Sequence, residues 1–332
     1  MKTWKITALA TVLASAAALP AMADIVMYDK LDFAKDVAAA FTKKTGIKVD
    51  VVQPGSTGEL LGKIAAEGDN PQFDVVWVDG SAVLTRMLEN GVVRPVPEKI
   101  LKQVPFTKLG ESLIPANHAF IPTGASTTAI EVGSKKVAKA DWPHGWADLA
   151  RFKGAVAAKD PNFSGPAYQW LAGLFQTNGV EGGKKLLQEV LTSKSLASFS
   201  SGGKINKAIL TGDAKIGINQ DSSIIAKMRK GEPVQVIYPK EGSVALPEGL
   251  AISAKSKHMA EVEKFIAFVF SKEGQAAQSG GDDTDMYYIP VVKGIKAKGD
   301  RPTDINFIQL DDKAAAAHET AWKQWYRDTF VR

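Results

Sequence analysis

Short apolar runs alternate with stretches of helical spacing from Asp24 onward, and nothing else in this chain narrows its fold as much. Asp24–Tyr28 reads as a strand, after which Phe33, Val37, Ala40 and Phe41 recur at helical spacing until Gly46. Lys48–Gln53 is a second strand, and Gly55-Ser56-Thr57-Gly58 opens a helix through Ile64 and Ala65. Asp74–Val78 is almost wholly apolar, the pattern of a parallel strand covered on both faces. Ser81–Glu89 then completes a third unit before Asn90-Gly91. This βαβαβα rhythm predicts an α/β lobe with a mainly parallel sheet.

A second rhythm fills the middle of the chain. Gly154–Ala158, Ala214–Asn219 and Val234–Tyr238 read as strands, and Ala167–Asn178, Gly182–Leu191, Lys204–Leu210 and Ser223–Lys230 as helices. A core stripe of Val262, Phe265, Ile266 and Val269 marks the helix Met259–Phe270. The tail, Asp311–Phe330, is an amphipathic helix whose Trp322, Trp325 and Tyr326 read as a docking face.

The start of the chain points to export. Lys2 and Lys5, the apolar run Ile6–Leu19, Pro20 and then Ala21-Met22-Ala23 follow the order of a cleaved signal peptide, so residues 1–23 are expected to be removed. That apolar run is too short to span a bilayer comfortably. Removal leaves 309 residues and takes away two lysines, bringing the formal charge from +5 to +3. A chain of that length divides into two lobes. With no cysteine, disulfides and Cys-based metal or thiol chemistry are excluded. No basic run of the nucleic-acid type is present.

Ligands of open parallel sheets bind beyond the carboxyl ends of the strands, where helix starts offer unpaired N–H groups to anions. Four such points carry hydroxyls and glycine: Ser56 and Thr57, Gly80 and Ser81, Ser164 and Gly165, and Ser200 to Gly203. Each serine or threonine is equally an ordinary helix cap. Acids stand at comparable points: Asp32, Asp79, Asp221 and Glu241. His118, His144, His258 and His318 are scattered, and neither a Gly-x-Ser-x-Gly elbow nor a His-Glu-x-x-His motif occurs. No catalytic residue, resident metal or cofactor is expected. Tyr287-Tyr288 reads as one side chain in and one out along a short strand before Pro290.

The run Phe41–Val49, the pair Phe73–Trp77 and Leu88–Gly91, and Ala260–Gln275 resemble bacterial extracellular solute-binding proteins, in the branch of ferric-ion, 2-aminoethylphosphonate and sugar-phosphate binders of ABC importers. The resemblance implies the type II periplasmic-binding-protein fold: two α/β lobes joined by two crossing hinge strands, near Pro122–Glu131 and Val236–Ala251. The lobes would then be 24–122 with 248–300, and 123–247, with a helical segment 301–332 packing on the second. It implies a periplasmic monomer that is no enzyme and serves an inner-membrane permease. Ferric binders of this branch carry adjacent tyrosines where this chain has Asn219-Gln220-Asp221-Ser222-Ser223. The favoured ligand is therefore a small organic phosphate or phosphonate. Ser56, Thr57, Ser81, Ser126, Thr127, Ser164 and Gly165 would hold its anion, and Asp32, Asp79, Asp221 with Ser222, and Glu241 would read its amine or hydroxyls. The alternative is ferric iron or another metal with a bound anion, chelated by Asp32, Asp79 and Asp221.

Overall fold

The computed structural model describes residues 25–191, 196–299 and 301–331, so the signal peptide expected at 1–23 lies outside the described residues. Three strands, β1 (Ile25–Asp29), β2 (Val49–Val52) and β3 (Val75–Asp79), run parallel with β1 between the others. Their connecting helices are α1 (Ala34–Thr45) and α2 (Thr57–Glu67), and α3 (Ser81–Glu89) follows β3. Gly46 ends α1 with φ 76°, a left-handed position that glycine takes without strain. β3 is buried at every residue, as its continuous apolar run predicts. β4 (Val93–Arg94), α4 (Glu98–Leu101) and α5 (Lys108–Ser112) lead to β5 (Ile121–Gly133).

The second series holds β6 (Val156–Ala158), α6 (Gly165–Asn178), α7 (Val180–Val190) and α8 (Gly202–Thr211). It continues with β7 (Ile216–Gln220), α9 (Asp221–Arg229) and β8 (Val234–Ile237). The chain then returns through β9 (Ser243–Ser253), α10 (Met259–Val269) and α11 (Lys272–Gln278) to β10 (Phe307–Ile308) and α12 (Asp312–Tyr326).

Two long strands join the halves. β5 pairs with β9 antiparallel from Ile121 to Thr127, and from Thr128 onward it pairs with β7 and β8. β9 in turn runs antiparallel to β3, Val75 facing Ile252. The strand order β2-β1-β3-β9-β5-β7-β6 thus passes through both crossing strands. Each half has its own core. Phe33, Phe41, Trp77 and Phe265 anchor the first, and Trp146, Trp170, Phe175 and Tyr326 the second. The crossing strands are tied by Trp77, whose indole N–H donates to Thr123 Oγ1 at 2.9 Å, while that hydroxyl donates to Glu248 O at 3.0 Å.

The last helix is packed. Trp322 and Trp325 stand edge-on to Phe175, with centroids 5.1 and 5.5 Å away, and Tyr326 is buried. α12 also reaches α3, where Arg86 Nη1 lies 3.0 Å from Glu319 Oε2. The expected in-and-out tyrosine pair is not found. Thr284–Tyr287 is a turn of 3-10 helix, and Tyr287 and Tyr288 are both buried. The turn breaks the two-residue alternation that a strand would impose.

Candidate functional site

Strand ends from both lobes converge because each sheet points its carboxyl ends at the other half. From the first lobe, β1 delivers Asp29 to Asp32 and β3 delivers Asp79. Gly80, at φ 100°, turns the chain from β3 into α3. From the second, β6 delivers Lys159 and β7 delivers Gln220, with α9 starting at Asp221. Gln220 Nε2 donates to Asp79 Oδ2 at 3.3 Å and to Ser126 Oγ at 2.9 Å, so one amide links the two lobes and a crossing strand. Asp285, from the turn before Tyr288, accepts the Asp32 N–H at 3.0 Å, and Thr284 Oγ1 donates to Asp32 Oδ2 at 2.8 Å.

One carboxylate oxygen and one ammonium in this cleft lack a hydrogen-bond partner. Asp79 Oδ1 is buried without a hydrogen bond. Lys159 is 8% exposed and makes no hydrogen bond or ion pair with any described residue. Burial pushes the Asp79 carboxyl up to about 6, against the pull of Lys159 and of the Gln220 amide. Burial also holds Asp285 well above the usual carboxylate range, helped by repulsion from Asp79 and Asp32. The Lys159 ammonium is pushed down by burial and pulled back by Asp79 and Asp285. The groups therefore sense one another across the lobe boundary without forming a closed ion pair.

The remaining expected residues divide into wall, cap and strut. Thr57 and Gly165 meet across the cleft: a Cβ on Gly165 would lie 3.1 Å from Asp79 O and 3.5 Å from Thr57 Cγ2. Ser164 caps α6 by accepting from Ala167 N–H at 3.3 Å, and Ser56 caps α2 by accepting from Glu59 N–H at 3.1 Å. Ser81 is held by Gln169, its N–H donating to Oε1 at 3.1 Å and its Oγ accepting from Nε2 at 2.9 Å; its hydroxyl also donates to Asp312. Thr127 Oγ1 donates to Val244 O at 2.6 Å. Ser222 is buried with its hydroxyl unpartnered. Glu241 is exposed, and its carboxylate lies against Gly145 rather than with the other acids.

Asp221 is an internal strut. It accepts from Arg301 Nη2 at 2.7 Å, from Thr127 N–H at 3.0 Å and from Tyr238 Oη at 3.1 Å, and both members of the ion pair are inaccessible. Arg301→Leu would leave that carboxylate buried and unpaired, a loss on the order of 3–5 kcal/mol. Urea unfolding should show it, and an Asp221→Leu/Arg301→Leu double variant should recover most of the stability. Equal stability of wild type and Arg301→Leu would refute the strut.

Lys159, Gln220, Asp285 and Arg301 were not singled out from sequence. Lys159 directly follows an apolar strand, the same signal that picked out the acids. Asp285 and Arg301 carry no local signal, because their partners lie more than 75 residues away in the chain.

Two α/β lobes, two crossing strands and a charged cleft between strand ends define a type II periplasmic-binding-protein fold. The family pattern of bacterial extracellular solute-binding proteins matches residues 36–309, and the chain belongs to that family. Spermidine/putrescine-binding periplasmic protein 1 of Haemophilus influenzae is 23% identical over 255 residues, covering 70% of this chain and 66% of that protein. The major ferric iron-binding protein of Neisseria meningitidis serogroup B is 24% identical over 285 residues, covering 79% of this chain and 80% of that protein. The fructose-6-phosphate-bound periplasmic binding protein AfuA of Actinobacillus pleuropneumoniae superposes with a TM-score of 0.80 at 19% identity, covering 92% of this chain and 98% of that one. The chain is a periplasmic solute-binding component of an ABC importer.

Proposed function

We propose that the cleft captures a small organic phosphate or phosphonate that also carries an amine, of the 2-aminoethylphosphonate type, for delivery to the inner-membrane permease. The observation that carries this reading is a pair of opposite charges on the two lobes, the Lys159 ammonium with no hydrogen bond and the Asp79 carboxylate with its Oδ1 unbonded. A zwitterion satisfies both. Its anion would lie against Lys159 and the start of α6 at Ser164 and Gly165, with Thr57 as the opposite wall. Its ammonium would lie among Asp79, Asp285 and Asp32. Charge-assisted hydrogen bonds of about 1.5–3 kcal/mol each make micromolar capture, near −8 kcal/mol, attainable with a handful of contacts.

A polyamine is the second reading, favoured by the excess of acids over cations in the cleft. Among the described residues no group of three or more His, Asp or Glu is placed to hold a metal ion, and the stretch Asn219–Ser223, where the resemblance puts the iron binders' adjacent tyrosines, holds none. A thermal-shift panel of 2-aminoethylphosphonate, glucose 6-phosphate, spermidine and ferric citrate tests the choice. The aminophosphonate should raise the melting temperature most, and Lys159→Met should abolish that shift. A shift with spermidine alone, or with ferric citrate alone, would overturn the assignment.

A further inference from the structure

A cavity of about 410 Å³ opens beside β9, and none of Lys159, Asp32, Asp79, Asp285 or Gln220 lines it. Its walls include Ser81 and Thr85 of α3, Gln169 of α6, Asn117, Gln309 and Asp312 at the start of α12. The hydrogen bonds between Ser81 and Gln169 form one edge. Thr85 is 2% exposed, lines this space, and its hydroxyl has no hydrogen-bond partner. A buried hydroxyl left unpaired costs free energy that a bound molecule recovers by pairing it.

The charged residues lining the cavity are Asp311, Asp312 and Lys313, a formal charge of −1. The Asp312 carboxyl is half-buried and its one side-chain hydrogen bond is to the Ser81 hydroxyl. Burial, with repulsion from Asp311, raises it to about 6. The nearby Lys313 is exposed and forms no ion pair with a described residue. Ser81 and Thr85 are one helical turn apart on the same face of α3, and Asp312 is bonded to the Ser81 hydroxyl, so Asp312 and Thr85 line one space. The volume suits a small organic ligand.

We propose that this cavity is a second ligand site, distinct from the cleft, for a small amino alcohol whose ammonium pairs with Asp312 and whose hydroxyl pairs with Thr85. An occupant would touch α3, α6, β9 and α12 together. It would thus bear on elements of both lobes.

Calorimetric titration of the mature protein with ethanolamine tests the site. Wild type is expected to bind, Asp312→Asn to bind about tenfold more weakly or worse, and Thr85→Val to lose about threefold, in line with one charged and one neutral hydrogen bond. Thr85→Val removes only the unpaired hydroxyl and should melt no lower than wild type, so its loss of binding is not a loss of fold. Asp79→Asn separates the two sites. Ethanolamine binding that vanishes in Asp79→Asn yet persists in Asp312→Asn would place the amine in the cleft and overturn the proposal, as would no binding by wild type. If 2-aminoethylphosphonate fails in the cleft while ethanolamine binding still follows Asp312, the cleft assignment falls and the second site stands.

Discussion

Replacing Asp79 with asparagine should raise the melting temperature of the ligand-free protein and, in the same molecule, weaken ligand capture by about a hundredfold. The two effects have one cause. Asp79 ends the fully buried strand β3, and its Oδ1 has no partner. Burial holds its carboxyl near 6 where an ordinary aspartate titrates at 3.8, which above pH 6 corresponds to about 3 kcal/mol lost from folding as an upper figure. Asparagine is neutral and nearly the same shape, so the penalty disappears, and its oxygen can still accept from Gln220 Nε2. The same change removes the charge that would pair with the ligand's ammonium, and loss of a buried charged partner costs about 2–5 kcal/mol of binding. Thermal melting at about pH 7.5 and calorimetric titration with 2-aminoethylphosphonate read the two quantities separately. An Asp79→Asn variant that melts lower than wild type, or binds equally well, would remove Asp79 from its assigned role.

The parts of the fold that could be read from sequence are those whose burial pattern is one-dimensional. β1 to α3 follow each other in short βα units, and their apolar runs match the observed strands to within a residue or two. β5 was expected, near Pro122–Glu131, only through the family resemblance and not from its local pattern. Ile121–Gly133 contains Pro122 and Gly124, both poor strand formers, and lacks a clean alternation of apolar and polar residues. It is held in part because β9 accepts its hydroxyls, Thr123 on Glu248 O and Thr127 on Val244 O, and those partners are over 100 residues distant. The cleft shows the same division. Asp79, Thr57 and Gly165 were legible from their places after strands or at helix starts, and the structure brings them together. Asp221 was legible by the same rule but folds inward to Arg301, a pairing that only the return of the chain after α11 creates. A residue's place at a strand end is therefore readable from sequence. Which way it faces depends on distant cations and amides.

Stability of the ligand-free protein should fall as pH rises from about 5 to about 8, against the habit of many proteins to lose stability in mild acid. Asp29 is inaccessible, and although Leu31 N–H and Gln53 Nε2 donate to it, burial raises its carboxyl to about 8. Asp79 stands near 6, and burial pushes Glu248 and Asp285 well above the usual range. A carboxyl whose value is raised in the fold binds its proton more tightly there than in the unfolded chain. Between the unfolded value near 4 and the folded values of about 6 and 8, the native state holds more protons, so each step up in pH favours unfolding. Lys159 works in the opposite sense, since an ammonium that is harder to hold in the fold gains as pH rises. Against it stand these four carboxyls together with Asp312, near 6, and Glu131, which burial also raises. A net change on the order of 3–5 kcal/mol would lower the melting temperature by roughly 5–10 °C across that window. Asp29→Asn should flatten the curve across the whole window and Asp79→Asn only its lower part. An ammonium-bearing ligand seated between Asp79 and Asp285 stabilises their charged forms, so saturating 2-aminoethylphosphonate should flatten the slope as well. Melting curves recorded at about pH 5, 6, 7 and 8, with and without ligand, decide the matter. A melting temperature that is level or climbs over that range in the ligand-free protein would mean that these carboxyls ionise freely in the fold.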